Sequence, residues 1–125
     1  MNVIDSSGWL EYLTDGANAD YFTVPILDEE HLLIPTLDIY EVFKRVLVQF
    51  GNERALEAVG SMSAGEIIDV DRQIAIEGAL LSAELKLAIA DSLILATARA
   101  YDATLWTQDA HFKGMPGVQY IEKKA

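Results

Sequence analysis

Residues 91–109 read DSLILATARAYDATLWTQD, and this stretch decides the fold. Asp91 opens an apolar run, LILATA, whose spacing predicts a helix reaching about Tyr101. After a polar turn, Thr104–Thr107 (TLWT) predicts a short strand that runs into Gln108 and Asp109. A helix feeding a strand is half of an α/β unit, and further halves lie on either side.

Upstream, Val3–Asp5 reads as a short buried strand, followed in SSGWLEYLTDG by a helix closed at Gly16 with Trp9, Leu10 and Leu13 facing inward. The stretch from Asn18 to Glu30 has helical character that Pro25 should break or restart. HLLIPT predicts a second strand, held extended before Pro35, with Thr36 able to cap the next helix. Ile39, Val42, Phe43, Val46 and Phe50 have the spacing of a helix buried on one face over Leu37–Phe50, ending at Gly51, with a further helix from Asn52 toward Ser63. EIIDVD is a third strand, and Ile74, Gly78, Leu81 and Leu85 mark the helix after it. VQYI is a fifth strand beyond a Gly114–Gly117 loop, and the Lys123–Ala125 tail is expected to be loose. With no linker, repeat or low-complexity segment, residues 1–125 are expected to form one α/β domain. Five short strands alternating with helices imply a central, mostly parallel sheet flanked by helices on both faces.

Composition narrows the function classes. The chain has 125 residues, a size that suits one core without a structural metal. It lacks cysteine, which excludes a thiol nucleophile and a thiolate zinc site. The apolar runs are too short to span a membrane, and no basic region followed by an apolar stretch marks a secretory signal, so a cytoplasmic protein is expected. Twenty acids against nine bases set a net charge of −11, which argues against an ordinary basic surface for nucleic acid.

Active sites of open parallel sheets lie beyond the carboxyl ends of strands, so acids just after strands matter most. Asp5 follows the first strand and Asp109 the fourth. Asp91 begins the helix before the fourth strand, and Glu41 lies in the helix after the second. Four converging carboxylates repel unless protons or a hard divalent cation compensate, and magnesium or manganese suits such oxygen ligands. Each acid also has a plainer role open to it. Asp5 and Asp91 can cap helices, Glu41 can pair with Arg45 at i,i+4, and Asp109 can serve a turn.

Taken in order, VIDSSGW, PTLDIYEVFKRV, LAIADSLILATARAYDATLWTQDAHF and GVQYI resemble the successive motifs of PIN-domain ribonucleases, especially VapC-type toxins of prokaryotic toxin–antitoxin pairs. The likeness spans essentially the whole chain and implies a PIN-like three-layer α/β fold. It assigns the site acids to Asp5, Glu41, Asp91 and Asp109, with Ser6 and Thr107 as polar residues beside them. It further implies a magnesium- or manganese-dependent endoribonuclease, the toxin component of a type II system, with an RNA substrate, a cognate antitoxin and a homodimeric assembly. Two departures stand out: no glycine precedes Asp91, and Gln108 replaces a residue that is often basic or Asn.

A cation that activates water for attack at phosphorus removes the need for a protein nucleophile, which agrees with a chain whose two histidines, His31 and His111, form no zinc-like pair. Ser6 then supports the metal or its water, and His111 is read as a loop residue. Two other functions fit parts of the pattern. A phospho-acceptor receiver domain would be acidic and α/β, but it carries paired acids at the first strand and a lysine after the fifth. A non-catalytic PIN-like interaction module would not need four acids. If RNA is the substrate, Lys44, Arg45, Lys86, Arg99, Lys113 or the Lys123–Lys124 tail must provide a local basic rim.

Overall fold

A computed structural model describes residues 1–124, so the part of the expected loose tail at position 125 lies outside the described residues. The sheet comprises β1 (Asn2–Ile4), β2 (Leu32–Pro35), β3 (Glu66–Ile68), β4 (Thr104–Thr107) and β5 (Val118–Tyr120). Its order is β3-β2-β1-β4-β5 and every pairing is parallel. The helices are α1 (Ser6–Leu13), α2 (Ala19–Leu27), α3 (Thr36–Phe50), α4 (Asn52–Met62), α5 (Arg72–Leu85) and α6 (Ile89–Ala100).

The period-two alternation of the strands separates two cores. Ile4, Leu32 and Ile34 point to one face, where Trp9, Phe22, Val42, Ala55 and Met62 of α1–α4 cover them. Val3, Leu33 and Leu105 point to the other, under Ile74 and Leu81 of α5 and Ile94 and Leu95 of α6. The result is three layers, because short central strands buried on both sides need helices on both sides. From β1 the chain steps outward through β2 to β3, then returns to place β4 on the other side of β1. The strand order therefore reverses between β1 and β4, and a crevice opens there at the carboxyl edge of the sheet.

Several boundaries differ from the sequence expectation. Helix α2 continues through Pro25 and stops two residues later at Leu27, so the proline shortens the helix without breaking it at that point. Helix α1 ends at Leu13 ahead of Gly16, and the left-handed residue that turns the chain is Asp15, with φ of 53°. Phe50 is exposed at the end of α3, while Val42 and Val46 are buried as expected. Helix α6 starts at Ile89, two residues before Asp91, which bears directly on the site.

Candidate metal centre

Strand β1 ends on Asp5 because its carboxylate caps α1, accepting from the Gly8 N–H at 3.0 Å. Glycine is required at position 8: a Cβ there would lie 2.5 Å from Ile4 Cγ2 and 2.7 Å from the Phe22 ring. Register places Ile4 opposite Trp106, which brings Thr107 beside Asp5. The Thr107 hydroxyl donates to Asp5 Oδ2 at 2.5 Å and accepts from the Asp109 N–H at 2.9 Å. Thr107 thus ties the acid after β1 to the acid after β4 across the switch point.

Asp109 caps the 3-10 turn Ala110–Phe112 through the His111 N–H. That turn folds the imidazole back over the acids, with His111 Nδ1 at 3.2 Å from Asp109 Oδ1 and 3.7 Å from Asp91 Oδ2. Asp91, Asp109 and His111 each offer one donor atom, and the three lie within 4.8 Å of one another. Asp91 does not cap its helix. It is the third residue of α6, and Ala88 occupies the cap position without a side-chain bond. The capping role that sequence left open for Asp91 is therefore absent, and its carboxylate is free to face Asp109.

Helix α3 brings two more acids from the opposite layer. Glu41 makes no ion pair with Arg45; among the described residues no Lys or Arg lies within 4.0 Å of a carboxylate, and Glu41 Oε1 is buried without a partner. One turn earlier, Asp38 is fully buried and both its oxygens lack a hydrogen-bond donor. Sequence reasoning passed over Asp38 and set His111 aside. The signal for Asp38 is its place in the Asp38, Val42, Val46 stripe, an acid in the buried i, i+4, i+8 row of α3.

Burial pushes the Asp5 carboxyl up to about 6; the bonds from Thr107, Ser7 and Gly8 oppose that rise, and the charge of Asp109 adds to it. Burial, then the charges of Asp5 and Glu41, hold Asp38 well above the ordinary carboxylate range. Asp91 is raised by burial and by Asp109 and Glu41, against the lowering influence of His111.

Of the two serines, it is Ser7 that meets Asp5. Ser7 donates to Asp5 Oδ1 at 2.7 Å, whereas Ser6 lines a cleft with Tyr40, Glu41, Lys44 and Arg45. Gln108 is buried and accepts from Asn18 Nδ2 at 2.9 Å, so it ties the loop after α1 to the end of β4.

Oxygen donors dominate this crevice, some are orphaned, and among the described residues no lysine or arginine lies within 4.0 Å of them. That donor set fits a hard divalent cation held by Asp91 and Asp109, with Asp5 and Glu41 adjoining. Fold and site together define an α/β domain with a cluster of acids and a histidine, able to hold a cation, at its topological switch point.

The chain belongs to the PIN domain family, whose model matches residues 3–118. Among solved structures it is similar to a toxin–antitoxin complex from Klebsiella pneumoniae, at 24% identity and a TM-score of 0.79 over 95% of this chain and 96% of that one. It also resembles VapBC2 from Rickettsia felis, solved with a fragment of promoter DNA, at 20% identity and a TM-score of 0.76 over 97% of each chain. VapC20 of Mycobacterium tuberculosis, a toxin that cleaves the sarcin–ricin loop, shares 11% identity at a TM-score of 0.77 over 93% of this chain and 95% of its own. No curated relative matches by sequence. The expected PIN-like fold is thereby established, and with it the receiver-domain alternative falls.

Proposed function

We propose that this chain is a divalent-metal-dependent endoribonuclease, the toxin component of a type II toxin–antitoxin pair. The observation that carries the reading is the uncompensated acid crevice, with donor atoms of Asp91, Asp109 and His111 within 4.8 Å and Asp5 and Glu41 beside them. A bound magnesium or manganese ion supplies charge stabilisation at phosphorus and makes water a competent nucleophile near neutral pH. Asp91 and Asp109 would hold that ion, and Asp5 and Glu41 would add to its oxygen environment. Thr107 and Ser7 keep Asp5 in place, and Thr107 fixes the start of the Asp109 turn.

The net charge of −11 opposes RNA binding, but the bases are not evenly placed. Arg45 lines two adjoining clefts at Ser6, one shared with Lys44 and Glu41 and the other with Gln108 and Lys123. None of these bases is spent on a carboxylate within 4.0 Å, which leaves them for phosphates along a path beside the acids. The toxin assignment rests on the neighbours solved as toxin–antitoxin assemblies. An antitoxin arginine or lysine reaching Asp5 and Asp91 would inhibit by taking the cation's place. A homodimer is part of the same reading. No helix among the described residues is long and apolar enough to cross a membrane.

Purified protein should cleave structured RNA with magnesium or manganese, stop on addition of chelator, and lose at least about a hundredfold in rate in Asp91→Asn. Undiminished cleavage in excess chelator overturns the metal reading.

A further inference from the structure

Asp38 makes none of the hydrogen bonds that its position allows. It is the third residue of α3, where an acid ordinarily reaches back to the backbone N–H of the cap residue. The cap residue here is Pro35, which has no N–H to offer. Solvent does not reach the carboxylate, which is 0% exposed, and no hydroxyl, amide or base donates to either oxygen. The charges that do act on it are those of Asp5 and Glu41, and Glu41 also buries an unpartnered oxygen, Oε1. Three bare carboxylate oxygens buried beside Asp5 form an arrangement that protons relieve in the metal-free protein and a bound cation would complete, since an unmet buried acceptor loses its hydration without return. Nothing else in α3 supplies those donors, and the bases of that helix, Lys44 and Arg45, are exposed.

We propose that Asp38 is a fifth carboxylate of the divalent cation site, adding with Asp5 and Glu41 an inner set of oxygens behind Asp91, Asp109 and His111. This rests on the metal reading given above and adds a residue on the α3 side of the crevice. The inner oxygens are all hard donors, so they favour magnesium and manganese over softer ions. Asp38 strengthens cation binding, and in the metal-free protein it is a burden on the fold.

The test is calorimetric titration of the full chain with manganese(II), together with thermal unfolding in chelator, for the unmodified protein, Asp38→Asn, Asp38→Ala and Asp91→Asn. Asp38→Asn and Asp38→Ala should fold, with Asp38→Asn melting at or above the unmodified protein in chelator. Both should bind manganese at least about tenfold more weakly. Manganese binding equal to that of the unmodified protein in both variants overturns the proposal. So does loss of the fold in both, which would make Asp38 a structural group that the metal-free protein needs. Failure of the unmodified protein to bind manganese, or full binding by Asp91→Asn, overturns the metal reading as well. Loss in Asp91→Asn with Asp38→Asn and Asp38→Ala unaffected overturns this inference alone.

Discussion

Asp5 and Asp38 both lie past the carboxyl ends of two adjacent parallel strands, Asp5 directly after β1 as the cap of α1 and Asp38 three residues beyond β2 inside the first turn of α3, and both are buried. Their surroundings are opposite. Asp5 accepts from a serine hydroxyl, a glycine N–H and a threonine hydroxyl, whereas Asp38 accepts from nothing. The junction after β1 is therefore organised to hold a carboxylate in one orientation, with a capped helix fixing its direction. The junction after β2 presents a carboxylate whose partner is not supplied by the protein. Depth alone does not say what completes a buried acid; the donors around it show how much of that the protein itself supplies.

The largest effect that could break this comparison is on pH dependence in chelator. Asp5 ionises less readily when folded, at about 6 against an ordinary 3.8, so the folded state holds its proton where the unfolded state has released it. Stability should fall as pH rises through that window, by about 3 kcal/mol for Asp5 alone over the full range. Asp38 acts in the same direction. The urea midpoint of metal-free protein should thus be higher at pH 5 than at pH 7, and Asp5→Asn should flatten the difference. A midpoint independent of pH would mean that neither acid is strained by burial.

Next comes conversion of Asp5 toward the state of Asp38. Thr107→Val removes the hydroxyl that bridges Asp5 and the Asp109 N–H, and should cost about 1–3 kcal/mol in urea unfolding, with Thr107→Ser restoring most of it. A cost shared equally by the serine variant would point to lost packing of the methyl group instead.

The smallest effect separates the two serines. Ser7→Ala should cost about 1 kcal/mol because it withdraws a donor from Asp5, while Ser6→Ala should stay within about 0.5 kcal/mol. Equal losses in denaturant titrations would remove the distinction between them.

Much of this arrangement was legible in the sequence, for physical reasons that differ by residue. The apolar pair Val3 and Ile4 ahead of Asp5 marked the first strand, and the end of TLWT located Asp109. The motif likeness grouped Asp5, Glu41, Asp91 and Asp109, and the fold links them in a chain of charges, Asp5 to Asp109, Asp109 to Asp91 and Asp91 to Glu41. The helix expected to open at Asp91 begins two residues earlier, because Ala88 and Ile89 carry no cap signature, and with that the capping role left open for Asp91 goes. Ser6 and Ser7 could not be told apart, since a one-residue rotation about the helix start decides which hydroxyl meets Asp5. His111 depends on a 3-10 turn too short to leave a periodic signal. Asp38 was readable from its stripe, yet an acid in a first helical turn also favours the helix dipole, and that commonplace reason hid the other.

If these acids crowd together because a divalent cation completes them, the cation must stabilise the fold, and more so where protons do not compete for the same oxygens. The most direct measurement is thermal unfolding of the unmodified protein in chelator and in millimolar magnesium, at pH 7 and at pH 5. Tm should rise by several degrees with magnesium at pH 7, and by less at pH 5, where protons already occupy the raised carboxyls. Identical Tm values with and without magnesium at pH 7 would contradict a cation at the centre of the site.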